Sequence, residues 1–371
     1  MIHELFLLLS TVVQPSLAFP KLTGKDPLGL RAFTHIWPRH SATSNLATTS
    51  SGADFLWLSQ DDYSGPSFFD NFTFFTDSDP TSGTVHYVNQ TDAFANGLAF
   101  FNETDGTVGM KGDDTTWLPE GQNRSSVRIT SNPQYNTGLF ILDLNRAPWG
   151  CGVWPAFCNY IPPMTVLQYS HPTAQGRLEE VNGPSYAFIS ASRARDRAPI
   201  ATGNLAGNAG CGITEWSKAS YGPFFDEQGG GVFAMKWDET GIAVWSFYRS
   251  AIPNDITIGS PDPANWGVPV ASLAPEACDP LTNFVNHSIV FDITFCGDWA
   301  GNSYATSGCP GSCSTRLMDP TNFVNASWSI NSLKVYKKQT ITSTVSPAIA
   351  LHVSVLWLSV SVLSSFVMYL S

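Results

Sequence analysis

Twelve tryptophans in an acidic chain of 371 residues are the residues whose type first points to a ligand. An indole offers a broad apolar face that suits a protein core or the C–H face of a sugar ring, so a large β core and a sugar-stacking cleft are both open readings. Other chemistries leave no such trace. His35, His40, His86 and His171 stand at no metal-ligand spacing. Neither a Ser-His-Asp arrangement nor a Gly-rich phosphate loop occurs, so no catalytic metal and no cofactor are expected. The net charge of −11 and pI of about 4.9 repel phosphate backbones and argue against a nucleic-acid partner.

The residues open to covalent chemistry point outside the cell. Asn-x-Ser/Thr acceptor triplets begin at Asn71, Asn89, Asn102, Asn123, Asn286 and Asn325. All seven cysteines fall between Cys151 and Cys313, and in an oxidising compartment most should pair. The odd count leaves one thiol free or paired elsewhere, and the pairing is not deducible from spacing. Residues 5–13 form an apolar run before the small-x-small site Ser16-Leu17-Ala18, so 1–18 read as a signal peptide, although its start carries Glu4 and no basic residue. No charged residue follows Lys338, and Ala348 to Leu370 is almost wholly apolar. That is long enough for a bilayer span of roughly 20 residues, yet no basic flank follows it. Behind the small residues Thr342, Ser343 and Thr344, residues 339–371 read as a lipid-anchor signal, with a retained tail helix as the other option.

These residues need a scaffold, and the pattern between the two ends is β throughout. Residues 19–53, with scattered Pro and a Ser/Thr-rich run from Ser41 to Ser51, read as an extension. Residues 54–338 read as one large sandwich. Ser288–Phe295 is the clearest strand: Ile289, Phe291, Ile293 and Phe295 share one face, while Ser288, Val290, Asp292 and Thr294 share the other. Val232–Trp237 and Ile242–Tyr248 read as a hairpin across Asp238-Glu239-Thr240-Gly241, with both faces largely apolar as for strands inside stacked layers. Ser126–Ser131 and Gly138–Leu144 read as a further pair. With no sustained helical period, and 30 Gly and 25 Pro punctuating the chain, two packed antiparallel sheets are expected.

Three blocks carry a resemblance. The first is Phe68-Phe69-Asp70-Asn71-Phe72 with Asp79-Pro80-Thr81-Ser82-Gly83 and Val85-His86-Tyr87-Val88. The second is Ser126-Val127-Arg128-Ile129, Tyr135, Gly138-Leu139-Phe140, and Gly150-Cys151-Gly152-Val153-Trp154-Pro155-Ala156-Phe157. The third is Phe295-Cys296-Gly297-Asp298-Trp299-Ala300-Gly301, Ser307-Gly308-Cys309-Pro310-Gly311 and Trp328 to Leu333. Together, over residues 57 to 337, the chain resembles glycoside hydrolase family 16, in the fungal secreted endo-1,3(4)-β-glucanase (laminarinase-like) branch. The resemblance implies an all-β jelly-roll sandwich of concanavalin A-like form, with a long glycan-binding cleft. It places Trp299 where the family stacks a glucosyl ring, and Trp154 and Arg128 where residues line or support the cleft. Asp298 would bond sugar hydroxyls or cap a turn. Asn145-Arg146 replaces the family's usual His-Met.

The same resemblance implies retaining hydrolysis, which needs two carboxyl groups about 5–5.5 Å apart. The family carries them in Glu-x-Asp-x-x-Glu, soon after the Trp-Pro-Ala block, with a bulge bringing the last Glu onto the cleft face. No such motif lies between Cys158 and Gly203. Leu178-Glu179-Glu180-Val181-Asn182 resembles its end and puts Glu179 at the acid/base position. Counting back then puts Ala174 at the nucleophile and Gly176 at the Asp, and sliding to Glu180 puts Gln175 at the nucleophile. No nucleophile is identified. Cys158 stands where the family has a second Trp, and Arg177, Arg193, Arg195 and Arg197 crowd the segment, yet the pattern resumes at Ala201-Thr202-Gly203-Asn204. Preserved length with lost composition fits a frame error or mis-spliced exon over 158–200, and a true pseudoenzyme is the alternative. The expected function is therefore an endo-1,3(4)-β-glucanase-like hydrolase of cell-wall or storage β-glucan, monomeric and held at the cell surface. The other reading is a non-catalytic β-glucan-binding surface protein.

Overall fold

The computed structural model describes residues 47–48, 54–161, 165–170, 185–190, 211–215, 217, 219–275 and 279–341. For 47–48, 159–161, 165–170, 185–190 and 211–215 only the backbone is described. All of these residues lie in the unit Asn45–Ser371. The proposed leader, Glu179, and the apolar tail fall outside the described residues.

Among the described residues, two large sheets form. One runs Cys211–Glu215, Ser185–Ser190, Thr165–Ser170, Val153–Ile161, His287–Phe295, Arg128–Tyr135, Phe72–Phe74, antiparallel at every step. The other runs Ala47–Thr48, Asp54–Ser64, Ser327–Thr340, Gly138–Arg146, Gly231–Asp238, Gly241–Tyr248, Ala271–Leu273. The hairpin Ala99–Asn102/Thr107–Lys111 joins the second sheet beside Ser327–Ile330. A short parallel pair, Val85–Tyr87 with Arg124–Ser126, stands apart.

Alternation explains how the sheets stack. Ile289, Phe291, Ile293 and Phe295 turn to the interior, where they share one core with Phe140, Leu142, Leu144, Phe233, Trp237, Leu333 and Val335 of the other sheet. The opposite face of that second sheet is covered as well. There Leu139, Ile141, Val232, Ala234, Trp245 and Tyr336 form a separate cluster with Phe55, Trp57 and Trp266. The apolar character of both faces of 231–248 thus has two cores behind it, and the 238–241 turn is closed by Asp238, whose carboxylate accepts from Thr240 N at 2.9 Å.

Two sequence expectations are corrected. Strands Arg128–Tyr135 and Gly138–Arg146 do not pair. The first lies between His287–Phe295 and Phe72–Phe74, the second between Ser327–Thr340 and Gly231–Asp238. Residues 136 and 137 therefore carry the chain from one sheet to the other, because each strand has its own neighbours on both edges. The strand that closes the fold also runs past 338: Gln339 and Thr340, assigned above to the tail, pair with Leu56 and Phe55.

Candidate active site

The outward face of the seven-stranded sheet gathers most of the residues singled out by sequence. Trp154, Ala156 and Cys158 alternate onto it from strand Val153–Ile161 and stand opposite Thr294, Asp292 and Val290. One strand further, Arg128 stands opposite Asp292, and its Nη1 meets the Asp292 carboxylate at 3.1 Å with both side chains nearly sealed from water. The Arg128 guanidinium also lies 4.9 Å above the Phe75 ring. Burial pushes the Asp292 carboxyl up to about 7 against the pull of Arg128. Burial is the largest single influence on Arg128 and acts to lower it, but Asp292, Cys158, Tyr87 and Asp79 together outweigh it and raise the guanidinium. Arg128 is thus a support under the face, engaged with Asp292.

Behind Asp292 sits a second acid that sequence reading passed over. Asp79 accepts from Gly83 N at 2.8 Å and from Thr294 Oγ1 at 3.1 Å. Gly83 is confined by this contact, since a β-carbon there would collide with Thr294 and Asp79. Its backbone bridges to Cys296. The visible signal was Asp292 itself, the one acid on strand His287–Phe295, at a position that alternates with the apolar face. Such an acid is either solvated or paired.

Trp299 is positioned by covalent staples. It lies in the single turn Gly297–Gly301, which follows Cys296, a residue held at φ +57°. Cys296 is bonded to Cys313, and Cys151 to Cys309. The turn is fixed further by Asp298 N donating to Thr81 O at 2.9 Å and Cys296 N donating to Gly152 O at 2.8 Å. Trp299 stays half-exposed, and its ring stands edge-on to Trp154, with centroids 5.5 Å apart at 89°. Trp154 is mostly buried, and its Nε1 has no hydrogen-bond partner among the described residues. Asp298 is exposed beside them. The arrangement can stack one ring on Trp299 and offer the Asp298 carboxylate to hydroxyls around it.

Cys158, of which the odd cysteine count gave warning, is a free thiol among the described residues and is fully buried beside Ala156 and Val290. Burial pushes it up to about 12, so it stays protonated and inert. The next strand, Thr165–Ser170, pairs with Val153–Ile161 and so occupies the place directly after the Trp-Pro-Ala block. Its six residues, Thr-Val-Leu-Gln-Tyr-Ser, include no carboxyl. Glu179, Gln175, Ala174 and Gly176 lie outside the described residues. No cluster of three His, Cys, Asp or Glu able to hold a metal occurs among the described residues.

One carboxyl elsewhere is also displaced. Asp226, in the turn Pro223–Glu227, accepts from Trp149 Nε1 at 2.9 Å and pairs with Arg146 Nε at 3.1 Å, but its Oδ1 is buried without a partner among the described residues. Burial pushes it up to about 6, against Trp149 and Arg146. A carboxyl raised in the folded state holds its proton longer there than in the unfolded chain, near 3.9. Its contribution therefore favours folding below that value and is lost as pH rises through about 6. Asp226→Asn is expected to flatten the stability profile between about pH 4.5 and 6.5, removing up to about 2 kcal/mol of pH dependence. Urea titrations at the two ends of the window check this, and an unchanged difference would count against it.

With this geometry in hand, the relatives are informative. A family model described as "XgeA-like, catalytic GH16 domain" matches residues 72–164 and 177–336. The chain belongs to glycoside hydrolase family 16. The family match passes over residues 165–176, the stretch that holds the carboxyl-free strand and, on the count above, both Ala174 and Gly176. A probable glycosidase of Schizosaccharomyces pombe is 39% identical over 294 residues, covering 74% of this chain and 68% of the relative. A probable endo-1,3(4)-β-glucanase of Aspergillus niger is 37% identical over 335 residues, 86% of this chain and 43% of the relative. Endo-1,3(4)-β-glucanase xgeA of Emericella nidulans is 33% identical, covering 75% of this chain and 47% of the relative. The chain thus spans under half the length of these two glucanases. Among solved structures, an elongating family 16 β-1,3-glucosyltransferase superposes at TM-score 0.67 and 34% identity, over 76% of this chain and 100% of that one. Laminarinase 16A of Phanerochaete chrysosporium, with β-glucans in donor and acceptor sites, does so at 0.63 and 33%, over 76% and 99%. The fold is the jelly-roll sandwich of this family.

Proposed function

We propose that this chain binds β-glucan across the outward face of the seven-stranded sheet, with Trp299 as the stacking platform and Trp154 and Asp298 beside it. The observation that carries the reading is the edge-to-face Trp154–Trp299 pair on a doubly disulfide-stapled turn. The likeness to family 16 glucan enzymes at 33–34% identity supports it. By descent the activity is endo-1,3(4)-β-glucanase-type hydrolysis with retention, Glu179 standing as the acid/base. A second reading is favoured by the absence of a carboxyl on strand Thr165–Ser170: a pseudoenzyme that binds glucan without cutting it. The acceptor triplets, leader and apolar tail support a chain that is exported, glycosylated and held at the cell surface by a lipid anchor or tail helix.

Purified full-length protein of this sequence is expected to bind laminarin-type glucan while releasing no reducing sugar from it. Affinity electrophoresis and a reducing-end assay on the same preparation decide between the readings. Turnover at ordinary rates would reject the pseudoenzyme, and absence of binding would reject the glucan site. Sequencing the transcript across codons 158–200 separates a lost active site from an error in the sequence.

A further inference from the structure

Five of the six acceptor triplets place an aromatic residue two positions before the asparagine: Phe69 before Asn71, Tyr87 before Asn89, Phe100 before Asn102, Phe284 before Asn286 and Phe323 before Asn325. Four of these rings are buried in the protein and cannot meet anything attached outside. Phe100 alone of the five is open to solvent, at 38% exposure. It lies on strand Ala99–Asn102, where residues two apart face the same way, so Phe100 and Asn102 share the outer face while Ala99 and Phe101 turn inward to the core.

The hairpin arranges the pair closely. Phe100 stands directly opposite Gly109. The ring fills the space where a side chain at 109 would begin, so one of its faces rests on the glycine backbone. The turn that follows is set by Asn102: its carbonyl accepts from Gly106 N at 2.9 Å and its side-chain Oδ1 accepts from Thr104 N at 3.0 Å. That bond orients the amide with Nδ2 directed away from the Thr104 backbone, and Nδ2 makes no hydrogen bond among the described residues. Thr104 is exposed and in place as the third residue of the acceptor triplet.

We propose that Asn102 is N-glycosylated and that the first sugar of its glycan stacks on the open face of Phe100, so that the modification braces the 99–111 hairpin. The donor is a lipid-pyrophosphate-linked oligosaccharide. A C–N bond forms between its anomeric carbon and Asn102 Nδ2, the anomeric C–O bond breaks, the lipid pyrophosphate leaves with the bonding pair, and Nδ2 gives up one proton. The sugar then lies with its axial C–H bonds against a ring whose other side is already supported, so stacking needs no rearrangement of Phe100. The proposal rests on export of the chain but not on glucan binding.

The test uses full-length chain secreted from a glycosylating yeast, with glycans trimmed to a single sugar. Peptide mass spectrometry is expected to find Asn102 occupied. Thr104→Ala, which blocks attachment without touching Phe100 or Asn102, is expected to lower the melting temperature by about 2 °C in the parent and in Phe100→Tyr. In Phe100→Leu, which still covers Gly109 but has no ring face, the same change should cost less than about 0.5 °C. An equal drop in the leucine background overturns the stacking. A bare Asn102 beside occupied neighbours overturns the proposal while leaving export intact, and an absence of glycan at all six sites overturns both.

Discussion

Replacing Arg128 with methionine is expected to destabilise the folded protein by about 3–5 kcal/mol at neutral pH. Methionine keeps the apolar stem against Phe75 but leaves the Asp292 carboxylate without its 3.1 Å partner in a site closed to water. Burial already holds that carboxyl at about 7 with the arginine present, so without it the folded chain binds a proton more firmly still. The sign follows: stability of the variant should recover as pH falls from 7 toward 5, while the unfolded chain remains ionised. Arg128→Met with Asp292→Leu removes both charges together and is expected to return to within about 1 kcal/mol of the parent. Denaturant titrations of the three proteins at two pH values check this. A single variant as stable as the parent at pH 7 would show that the pair does not bear on stability.

The second large effect is on ligand. Trp299→Ala is expected to weaken laminarin binding by at least about tenfold, or some 1.4 kcal/mol and more, with little change in melting temperature. The ring is half-exposed and its turn is held by disulfides and backbone bonds that do not involve the indole. Trp299→Phe keeps a stacking face and should lose less. Because Trp154 loses its edge contact when Trp299 is removed, alanine substitutions at the two positions should combine less than additively. Unchanged affinity in Trp299→Ala would reject the stacking role.

Local signals carried much of the fold. Period-two alternation located 287–295, and the Asp238–Gly241 turn between two apolar runs located the 231–248 hairpin, because each pattern is complete within a few residues. What sequence reading missed depends on distant partners. The two-residue link at 136–137 looks like a hairpin, yet whether it joins paired strands is decided by residues 287–295 and 327–340. Arg124 stands beside the Ser126-Val127-Arg128 block without any mark of its own. It is nonetheless fully buried, donating to the carbonyls of Asp113, Thr116 and Leu317, the last 193 positions away. Within the candidate site, Trp154, Trp299, Asp298 and Arg128 came from family resemblance. The pairing of Asp292 with Arg128, and the Asp79 carboxylate near it, became visible only when distant parts of the chain were laid side by side.

The Cys151–Cys309 bond joins residues 158 positions apart, and that span contains the whole stretch in which the family pattern lapses. Nicking the chain anywhere inside this ring opens it without shedding a piece. The fragments remain one covalent particle, in which strands Val153–Ile161 and His287–Phe295 also still pair. A break in the least family-like part of the protein therefore leaves the Trp299 turn tied to both halves.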